Sequence, residues 1–207
     1  MVDLLEGIAW LGHASFRITA PEGVIYIDPW KLGASAPPAD LILITHHHSD
    51  HYSPDDVGRL LKPDTVVVTT AEVAGKFKGN VQVVKPGDTV TAAGMQVEAV
   101  AAYNPDKQFH PKQMGGVGFI VTAGGRRIYH SGDTDLIPEM AACQADVALL
   151  PVGGKYTMSA TEAAQAAERV NAQVAVPMHW GEIIGSREDA EAFKAACKTR
   201  VEILERE

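Results

Sequence analysis

Short apolar runs separated by polar turns make up most of the chain, and this pattern predicts many strands. Runs of about four to eight apolar residues bounded by glycine, proline or aspartate are typical of buried strands. They predict strands at residues 8–11, 16–19, 24–27, 41–44, 65–69, 81–84, 95–101, 117–122, 126–129, 146–150 and 174–176, with an edge strand at 201–204. Turns at Pro21-Glu22-Gly23 and Gly124-Gly125 join two pairs of these strands as hairpins.

Capping residues mark the helix starts. Ser53-Pro54-Asp55-Asp56 supplies a serine cap, a proline at the first helical position and acids in the first turn, so a short helix should end near residue 61. Ser159-Ala160-Thr161-Glu162 is a capping box for an alanine-rich helix that ends near residue 170. Ser186-Arg187-Glu188-Asp189 begins a last helix to about residue 198, and a smaller helix is predicted at 71–77.

The two halves of the chain repeat one order of elements. A hairpin ends in an aspartate, Asp28 or Asp133, and an Ala-Asp pair then precedes the next apolar strand. Asp40 follows Asp28 by 12 residues, and Asp146 follows Asp133 by 13. Chance is the alternative, because the identity between the halves is weak. A real repeat predicts an α/β fold, a four-layer αββα sandwich of two similar halves with the helices outside.

The densest cluster of residues that can bind a metal follows the predicted strand at 41–44. After one threonine the chain reads His46-His47-His48-Ser49-Asp50-His51. Imidazole and carboxylate groups bind Zn²⁺, Mn²⁺ and Fe²⁺, and burying so many without a cation is costly. His46 and His48 can point to one side of an extended loop, while Asp50 and His51 reach a second point. The loop therefore offers two half-sites for metals about 3.5–4 Å apart; a solvated, tag-like tract is the plainer alternative.

Further ligands are expected in loops beside later strands, where a rigid frame holds the side chain. His110 lies in a loop before the second hairpin, Asp133 lies in the turn that ends it, and His179 follows the strand at 174–176. Taken alone, Asp133 could be a turn cap and His179 a hydrogen-bonded strand-end histidine. Beside the histidine-rich loop, both are better explained as ligands.

Composition and charge narrow the classes of function. The chain has 207 residues, 46% hydrophobic and 21% charged, which is ordinary for a globular domain. A formal net charge of −8 argues against broad binding of nucleic acid or anionic membrane. Cys143 and Cys197 are too few for a disulfide framework. Residues 1–7 lack signal-peptide character, and no stretch approaches the ~20 apolar residues that cross a bilayer. We expect a cytoplasmic protein with a small-molecule substrate, and homo-oligomerisation is left open.

The pattern H-x-H-x-D-H after an apolar strand resembles the signature of the metallo-β-lactamase superfamily. Within it, the chain is similar to a compact lactonase-like branch akin to ascorbate-6-phosphate lactonase. The similar stretches are Leu11-Gly12-His13-Ala14, Ile27-Asp28-Pro29, His130-x-Gly132-Asp133-Thr134, Pro151-x-Gly153-Gly154-x-Tyr156-Thr157-Met158 and Pro177-Met178-His179. The resemblance covers nearly the whole chain and implies a single metallo-hydrolase domain over residues 1–207.

The resemblance also implies a binuclear site for two divalent metal ions, with Zn²⁺ favoured and Mn²⁺, Fe²⁺ or Ni²⁺ as alternatives. The implied ligands are His46, His48 and His110 for the first metal, Asp50, His51 and His179 for the second, and Asp133 as the bridge.

The remaining histidines and two polar neighbours have expected places around this site. His47 lies between two ligands and should point away from them. Asp28 and Thr45 are candidates to fix the imidazole tautomers. His13 is either a hydrogen-bonding neighbour of the site or plainly structural, and His130 is expected to be a packed strand residue.

Two cations that share a solvent molecule lower its pKa, so a metal-bridging hydroxide is available at pH 7. The predicted function is hydrolysis of a small ester, lactone or phosphoester, with Asp50 as the catalytic group that orients the hydroxide or takes its proton. Lys155 and Tyr156, before a helix N-terminus, are candidates to bind substrate; a solvated turn is the alternative. Phe109, Trp30 and Trp180 could line a pocket or belong to the core.

Three alternatives on this fold remain. Diiron oxidoreductases resemble the chain but carry a glutamate where this sequence has His48. RNA-maturing nucleases usually add a domain or an exosite arm, and this chain is acidic and has neither. A non-catalytic metal-binding protein, acting as a sensor or scaffold, is disfavoured by the complete ligand set.

Overall fold

A computed structural model describes residues 3–207, and its strands form two sheets; Met1 and Val2 of the N-terminal segment discussed above lie outside the described residues. The strands are β1 (Ile8–Gly12), β2 (Ser15–Ala20), β3 (Gly23–Ile27), β4 (Leu41–Ile44), β5 (Val66–Thr69), β6 (Val81–Val83), β7 (Thr89–Ala92), β8 (Met95–Ala101), β9 (Val117–Ala123), β10 (Arg126–His130), β11 (Val147–Pro151), β12 (Val174–Met178) and β13 (Arg200–Val201). The helices are α1 (Pro54–Leu60), α2 (Ala71–Ala74), α3 (Ala160–Arg169) and α4 (Arg187–Ala196), with 3₁₀ turns at Lys112–Met114 and Pro138–Ala142.

The two sheets share one topology. Their strand orders are β1-β2-β3-β4-β5-β6 and β13-β12-β11-β10-β9-β8-β7. In the first sheet β1, β2 and β3 are antiparallel neighbours, and β3 to β6 run parallel. In the second, β8, β9 and β10 are antiparallel and β10 to β13 run parallel. Strands β1 to β6 thus correspond to β8 to β13, and the predicted internal repeat is present in the topology.

Alternate side chains of a strand point to opposite faces of its sheet, and this produces the layers. Leu41 and Leu43 of β4 belong to the core between the sheets, whereas Ile42 and Ile44 belong to a second cluster with Val57 of α1 and residues of α2. On the other side, α3 and α4 pack on β11 and β12. The order of layers is helix, sheet, sheet, helix, so the predicted four-layer αββα fold is confirmed. Among residues 3–207, no helix has the length and apolarity needed to cross a membrane.

Local structure departs from the prediction in four places. β7 was not predicted, because Thr89-Val90-Thr91-Ala92 has little apolar character; it pairs with β8 at the sheet edge. The helix expected at 71–77 is the single turn α2, which ends at Gly75. The edge strand expected at 201–204 is only β13. β12 continues through Pro177 to Met178. On the side of β12 that faces β13, only Val174 and Ala175 are paired, so a proline at position 177 loses no hydrogen bond to β13.

The carboxyl ends of β3, β4, β10 and β12 lie along one edge of the sandwich, and backbone hydrogen bonds join the loops of the two halves there. The N–H of Val117 donates to the carbonyl of Thr45 at 3.3 Å, and the N–H of His179 donates to the carbonyl of His13 at 2.8 Å. Side chains from both halves are therefore held at this edge by fixed backbone.

Candidate metal centre

Three imidazoles form the first of two clusters at this edge. Nε2 of His46 lies 3.1 Å from Nδ1 of His48, which in turn lies 3.0 Å from Nε2 of His110. The three nitrogens all lie within 4.8 Å of one another. Such convergence suits a cation bonded to each nitrogen at about 2.0–2.1 Å. The three residues predicted for the first metal are thus brought together.

The second cluster comprises Asp50, His51 and His179, joined by His13. Oδ2 of Asp50 lies 3.7 Å from Nε2 of His51 and 3.9 Å from Nε2 of His179. Nε2 of His13, which is fully buried, lies 3.1 Å from the same oxygen. The residues predicted for the second metal are therefore also together, and His13 is in direct contact with one of them.

Asp133 lies between the two clusters. Its Oδ1 is 3.2 Å from Nε2 of His51, and its Oδ2 is 3.2 Å from Nε2 of His179 and 3.4 Å from Nε2 of His110. The preceding glycine allows this approach: Gly132 has φ +63°, and a Cβ there would lie 2.7 Å from the carbonyl oxygen of Val117. One carboxylate thus contacts ligand candidates of both metals.

Several of these atoms lack a hydrogen-bond partner within the described residues. Nε2 of His51, Nε2 of His179 and Oδ1 of Asp133 are buried and unpartnered. Buried polar atoms are rarely left so, because desolvation without a partner is costly. All three are atoms that a metal ion would bind, and the donor set of imidazole nitrogen and carboxylate oxygen suits Zn²⁺ or a similar cation. The residues therefore fit the predicted metal ions.

Asp28 and Thr45 hold two of the imidazoles. Asp28 is fully buried; its Oδ1 accepts the N–H of Thr45 at 2.8 Å, and its Oδ2 accepts the Thr45 hydroxyl and Nδ1–H of His51, each at 2.7 Å. Because the hydroxyl proton goes to Asp28, the oxygen of Thr45 accepts Nδ1–H of His46 at 2.8 Å. Both imidazoles are thus held with Nε2 free for a metal.

Burial keeps the first cluster uncharged. It holds the pKa of His46 well below its usual value, lowers the pKa of His48, and lowers the pKa of His110 to about 4. These imidazoles are therefore neutral at pH 7, which is the form that binds metal.

The second cluster favours a positive charge. Burial opposes it, but the charges of Asp133 and Asp28 hold the pKa of His51 well above its usual value. Burial would likewise raise the pKa of Asp133, yet His179 and His51 hold it well below its usual range. For Asp50, burial would raise the pKa of the carboxyl, but the hydrogen bond from His13 and the charges of His51 and His13 together lower it. A cation between these carboxylates, whether a proton or a metal ion, is therefore stabilised.

Backbone strain is concentrated at the site. Seven non-glycine residues of the described chain have positive φ, and four of them are His13 (50°), Asp28 (48°), His110 (56°) and His179 (60°). Such conformations cost about 1–3 kcal/mol each and persist where the surroundings fix them. The strained backbone aims these side chains at the clusters.

The other predicted residues lie as follows. His47 points away, with Nδ1 3.1 Å from Oε2 of Glu72. His130 is buried and its Nε2 bonds the carbonyl of Ala14 at 2.8 Å. Trp180 is a core residue stacked on Trp10 at 4.6 Å.

A cavity of about 260 Å³ opens over the two clusters. Predicted ligands line its floor, and its walls include Phe109, Tyr156 and Ile183. Lys155 is exposed and is not among the lining residues; its Nζ lies 5.0 Å from the ring centre of Tyr156. The cavity places the metal centre within reach of a small molecule.

Two residues of this region were missed in the sequence. Asn104 is buried, and its amide nitrogen lies 3.1 Å from Nδ1 of His110, 3.0 Å from the carbonyl oxygen of Phe109 and 2.6 Å from that of Tyr156. Its position in a polar Asn-Pro turn carried no sign of these contacts. Ile183 could have been predicted from the sequence, since an apolar residue in a loop between two glycines is exposed unless something covers it.

Known proteins are similar to this chain over most of its length. The model of the beta-lactamase superfamily domain matches residues 7–179. A UPF0173 metal-dependent hydrolase from Methanopyrus kandleri is 34% identical over 206 residues, covering 90% of this chain and 89% of that protein. A solved structure from Parabacteroides distasonis aligns with a TM-score of 0.86 at 35% identity, over 97% of this chain and 93% of its own. The metallo hydrolase Igni18 from Ignicoccus hospitalis aligns with a TM-score of 0.79 at 25% identity, over 96% and 94%.

The chain therefore belongs to the metallo-β-lactamase superfamily, in its group of UPF0173 metal-dependent hydrolases. Its membership of the lactonase-like branch stays a prediction.

Proposed function

We propose that the protein is a binuclear hydrolase that cleaves a small ester, lactone or phosphoester, acting as one metallo-hydrolase domain in the cytoplasm. The contact of Asp133 with His51, His179 and His110 carries the proposal, because one carboxylate that reaches both clusters is what a shared pair of metals requires. Two bound divalent ions, most simply Zn²⁺, supply Lewis acidity and lower the pKa of a water molecule.

The residues of the chain have distinct roles in this proposal. Asp133 would help to hold both ions, and Asp50 would help to hold one of them and would orient the attacking water or accept its proton. His13 fixes the Asp50 carboxylate through their 3.1 Å contact. Asp28 and Thr45 keep the tautomers of His51 and His46. In the reaction, water gives its hydroxyl to the acyl or phosphoryl group and its proton to the leaving oxygen.

Two residues of the Pro151–Met158 loop complete the proposal. Tyr156 contacts substrate in the cavity. Lys155, whose Nζ lies 5.0 Å from the ring centre of Tyr156, attracts an anionic group of the substrate if it has one. Neither residue is needed for metal binding, so alanine variants at both positions should keep the full metal content.

Metal content tests the proposal first. Elemental analysis of untagged protein is expected to give about two equivalents of zinc, manganese, iron or nickel per chain. His48→Ala should lose one equivalent, whereas His47→Ala, a histidine of the same loop that points to Glu72, should keep both. Metal-dependent turnover is then screened with lactones, esters and phosphodiesters.

Other outcomes separate the alternatives. About one equivalent would indicate a mononuclear hydrolase and bring His110 or His179 into question. Two equivalents without turnover of any compound class would favour a non-catalytic metal-binding protein. Absence of metal even after its addition would overturn the proposal.

A further inference from the structure

Two large apolar side chains are exposed at the cavity over the metal centre. Among residues 3–207, only four large apolar residues are classed as exposed; Phe109 is 44% exposed and Ile183 is 54% exposed, and both line this cavity. Single exposed apolar residues are ordinary on a surface. Two that line one cavity form, together with half-buried Tyr156 of the same lining, the apolar wall of that cavity.

The structure behind Phe109 and Tyr156 holds these two residues of the wall in place. The rings of Phe109 and Tyr156 meet edge to face, with centres 5.2 Å apart and planes at 86°. The amide nitrogen of Asn104 contacts the carbonyl oxygens of both residues. Nζ of Lys107 bonds the carbonyl of Thr157 at 2.6 Å and pairs with Asp135, which ties the two loops a second time. Such preorganisation lowers the entropic cost of binding against the wall.

The described part of the cavity has no lysine or arginine that could pair with a second negative charge on a substrate. Among the described residues that line it, none is lysine or arginine. The charge of Lys155 lies at the ring of Tyr156 rather than in the lining. The charge of an anionic substrate group in the cavity could therefore be balanced only by the metals. An uncharged, apolar substrate group would instead gain free energy by covering the exposed apolar surface of Phe109 and Ile183.

We propose that Phe109, Tyr156 and Ile183 form an apolar subsite that binds an uncharged alkyl or aryl group of the substrate beside the metal pair. The substrate class is then a small ester or lactone with an apolar substituent, and phosphoesters with a second charge are excluded. The volume of about 260 Å³ limits that substituent to a few carbons, since it is below the about 300–1,000 Å³ of sites for drug-sized ligands. The inference rests on the proposed function, because it takes the metals as the place of reaction.

Binding of alkyl hydroxamates to the metal-loaded protein tests the subsite without turnover, because the hydroxamate chelates the metals and the alkyl chain probes the wall. From acetohydroxamate to hexanohydroxamate, calorimetry should show affinity rising about threefold to fourfold per methylene. The chain of the same length that ends in a carboxylate, adipic monohydroxamate, should bind more weakly than hexanohydroxamate.

Two variants and one matched control locate the effect. Phe109→Ala and Ile183→Ala should each reduce the gain per methylene and leave acetohydroxamate affinity unchanged. Leu61→Ala, which truncates an exposed residue outside the cavity, should change neither. Affinity that does not depend on chain length, or a dependence that survives both cavity variants, would overturn the inference.

Turnover separates this inference from the proposed function. The kcat/KM for γ-butyrolactone, γ-hexalactone and γ-octalactone should rise along the series and lose that rise in Phe109→Ala. Metal-dependent hydrolysis with a flat series would leave the hydrolase and overturn the subsite. A hydroxamate gradient without hydrolysis of any carbonyl or phosphorus compound would support the subsite and overturn the proposed reaction.

Discussion

The two halves of the molecule place one buried aspartate each at the end of a hairpin, and the two aspartates behave differently. Both oxygens of Asp28 are occupied by protein donors, namely the backbone and hydroxyl of Thr45 and the ring of His51. Among residues 3–207, Oδ1 of Asp133 has no hydrogen-bond partner, and Nε2 of His51 lies 3.2 Å from it. Both carboxylates are buried, so the number of occupied oxygens is what distinguishes Asp28, which is predicted to support the ligands, from Asp133, which is predicted to bind metal.

At the opposite edge the halves are alike. The N–H of Asp40 donates to the carbonyl of Val24 at 2.8 Å, and its Oδ2 accepts the N–H of Val24 at 2.7 Å. Asp146 makes the same two contacts with Arg127, at 2.9 and 2.8 Å. The repeat is therefore preserved where it holds strands together. The repeat has diverged in the loops that follow the strands, since β4 leads into the predicted metal ligands and β11 leads into Tyr156 of the proposed wall.

The largest expected effect comes from Asp133→Ala. Without the bridging carboxylate, the protein should lose most of its bound metal and most of its activity, while circular dichroism shows a folded chain. Elemental analysis after dialysis against metal-free buffer measures the loss. Full metal content in this variant would show that Asp133 is not a metal ligand, and the proposed difference in role between Asp133 and Asp28 would then fail.

Asp28→Ala should have a smaller effect of a different kind. The ligands stay, but the tautomers of His46 and His51 are no longer fixed, and loss of such outer contacts costs about 10–100-fold in metal affinity. Competition with a chromogenic chelator measures that affinity. Asp40→Ala is the matched control in the same half and should leave it unchanged; equal affinity in all three proteins would contradict the supporting role of Asp28.

Asp40→Ala and Asp146→Ala test the likeness of the halves. Each removes one side-chain acceptor from a backbone N–H at the start of a strand, so each should lower the free energy of unfolding by about 1–2 kcal/mol. Metal content should be unchanged in both. Urea denaturation of the metal-loaded proteins measures the loss, and a loss in only one variant would show that the two contacts are not equivalent.

Local features of the fold could be predicted from the sequence, and long-range ones could not. The capped start of α3 at Ser159 was predicted because cap and helix are neighbours in the chain. The strand β7 was missed because its pairing with β8 supplies an order that its own composition does not indicate. The candidate ligands of the His46–His51 loop were recognisable because they lie close together in the sequence.

The walls of the site were harder to predict than its floor. Asn104 reaches Tyr156 across 52 residues of sequence, and nothing in its immediate neighbours indicates that contact. The sequence did not decide whether Phe109 lines a pocket or belongs to the core, since an aromatic residue next to a predicted ligand can do either. The resemblance supplied the order of His110, Asp133 and His179 along the chain, but only the folded backbone shows which atoms meet.

The smallest effect concerns the acid dependence of the same edge. The hydrogen bond from Lys62 is the main reason that the pKa of Asp40 lies below its usual value; in the second half the amide of Gln173 bonds Asp146 instead, at 2.7 Å. Since the pKa of Asp40 is depressed in the folded protein, its stabilisation is complete above the unfolded pKa of about 3.9 and is lost as pH falls through the folded value. Lys62→Ala should therefore lower the free energy of unfolding only slightly near neutral pH, because an exposed ion pair contributes little. The difference from wild type should shrink as pH falls through the depressed pKa of Asp40, and it should also shrink in 1 M salt. Urea titrations of metal-free protein between about pH 3 and pH 6 measure it, and curves that stay parallel throughout would show that the lysine does not make the halves differ in this way.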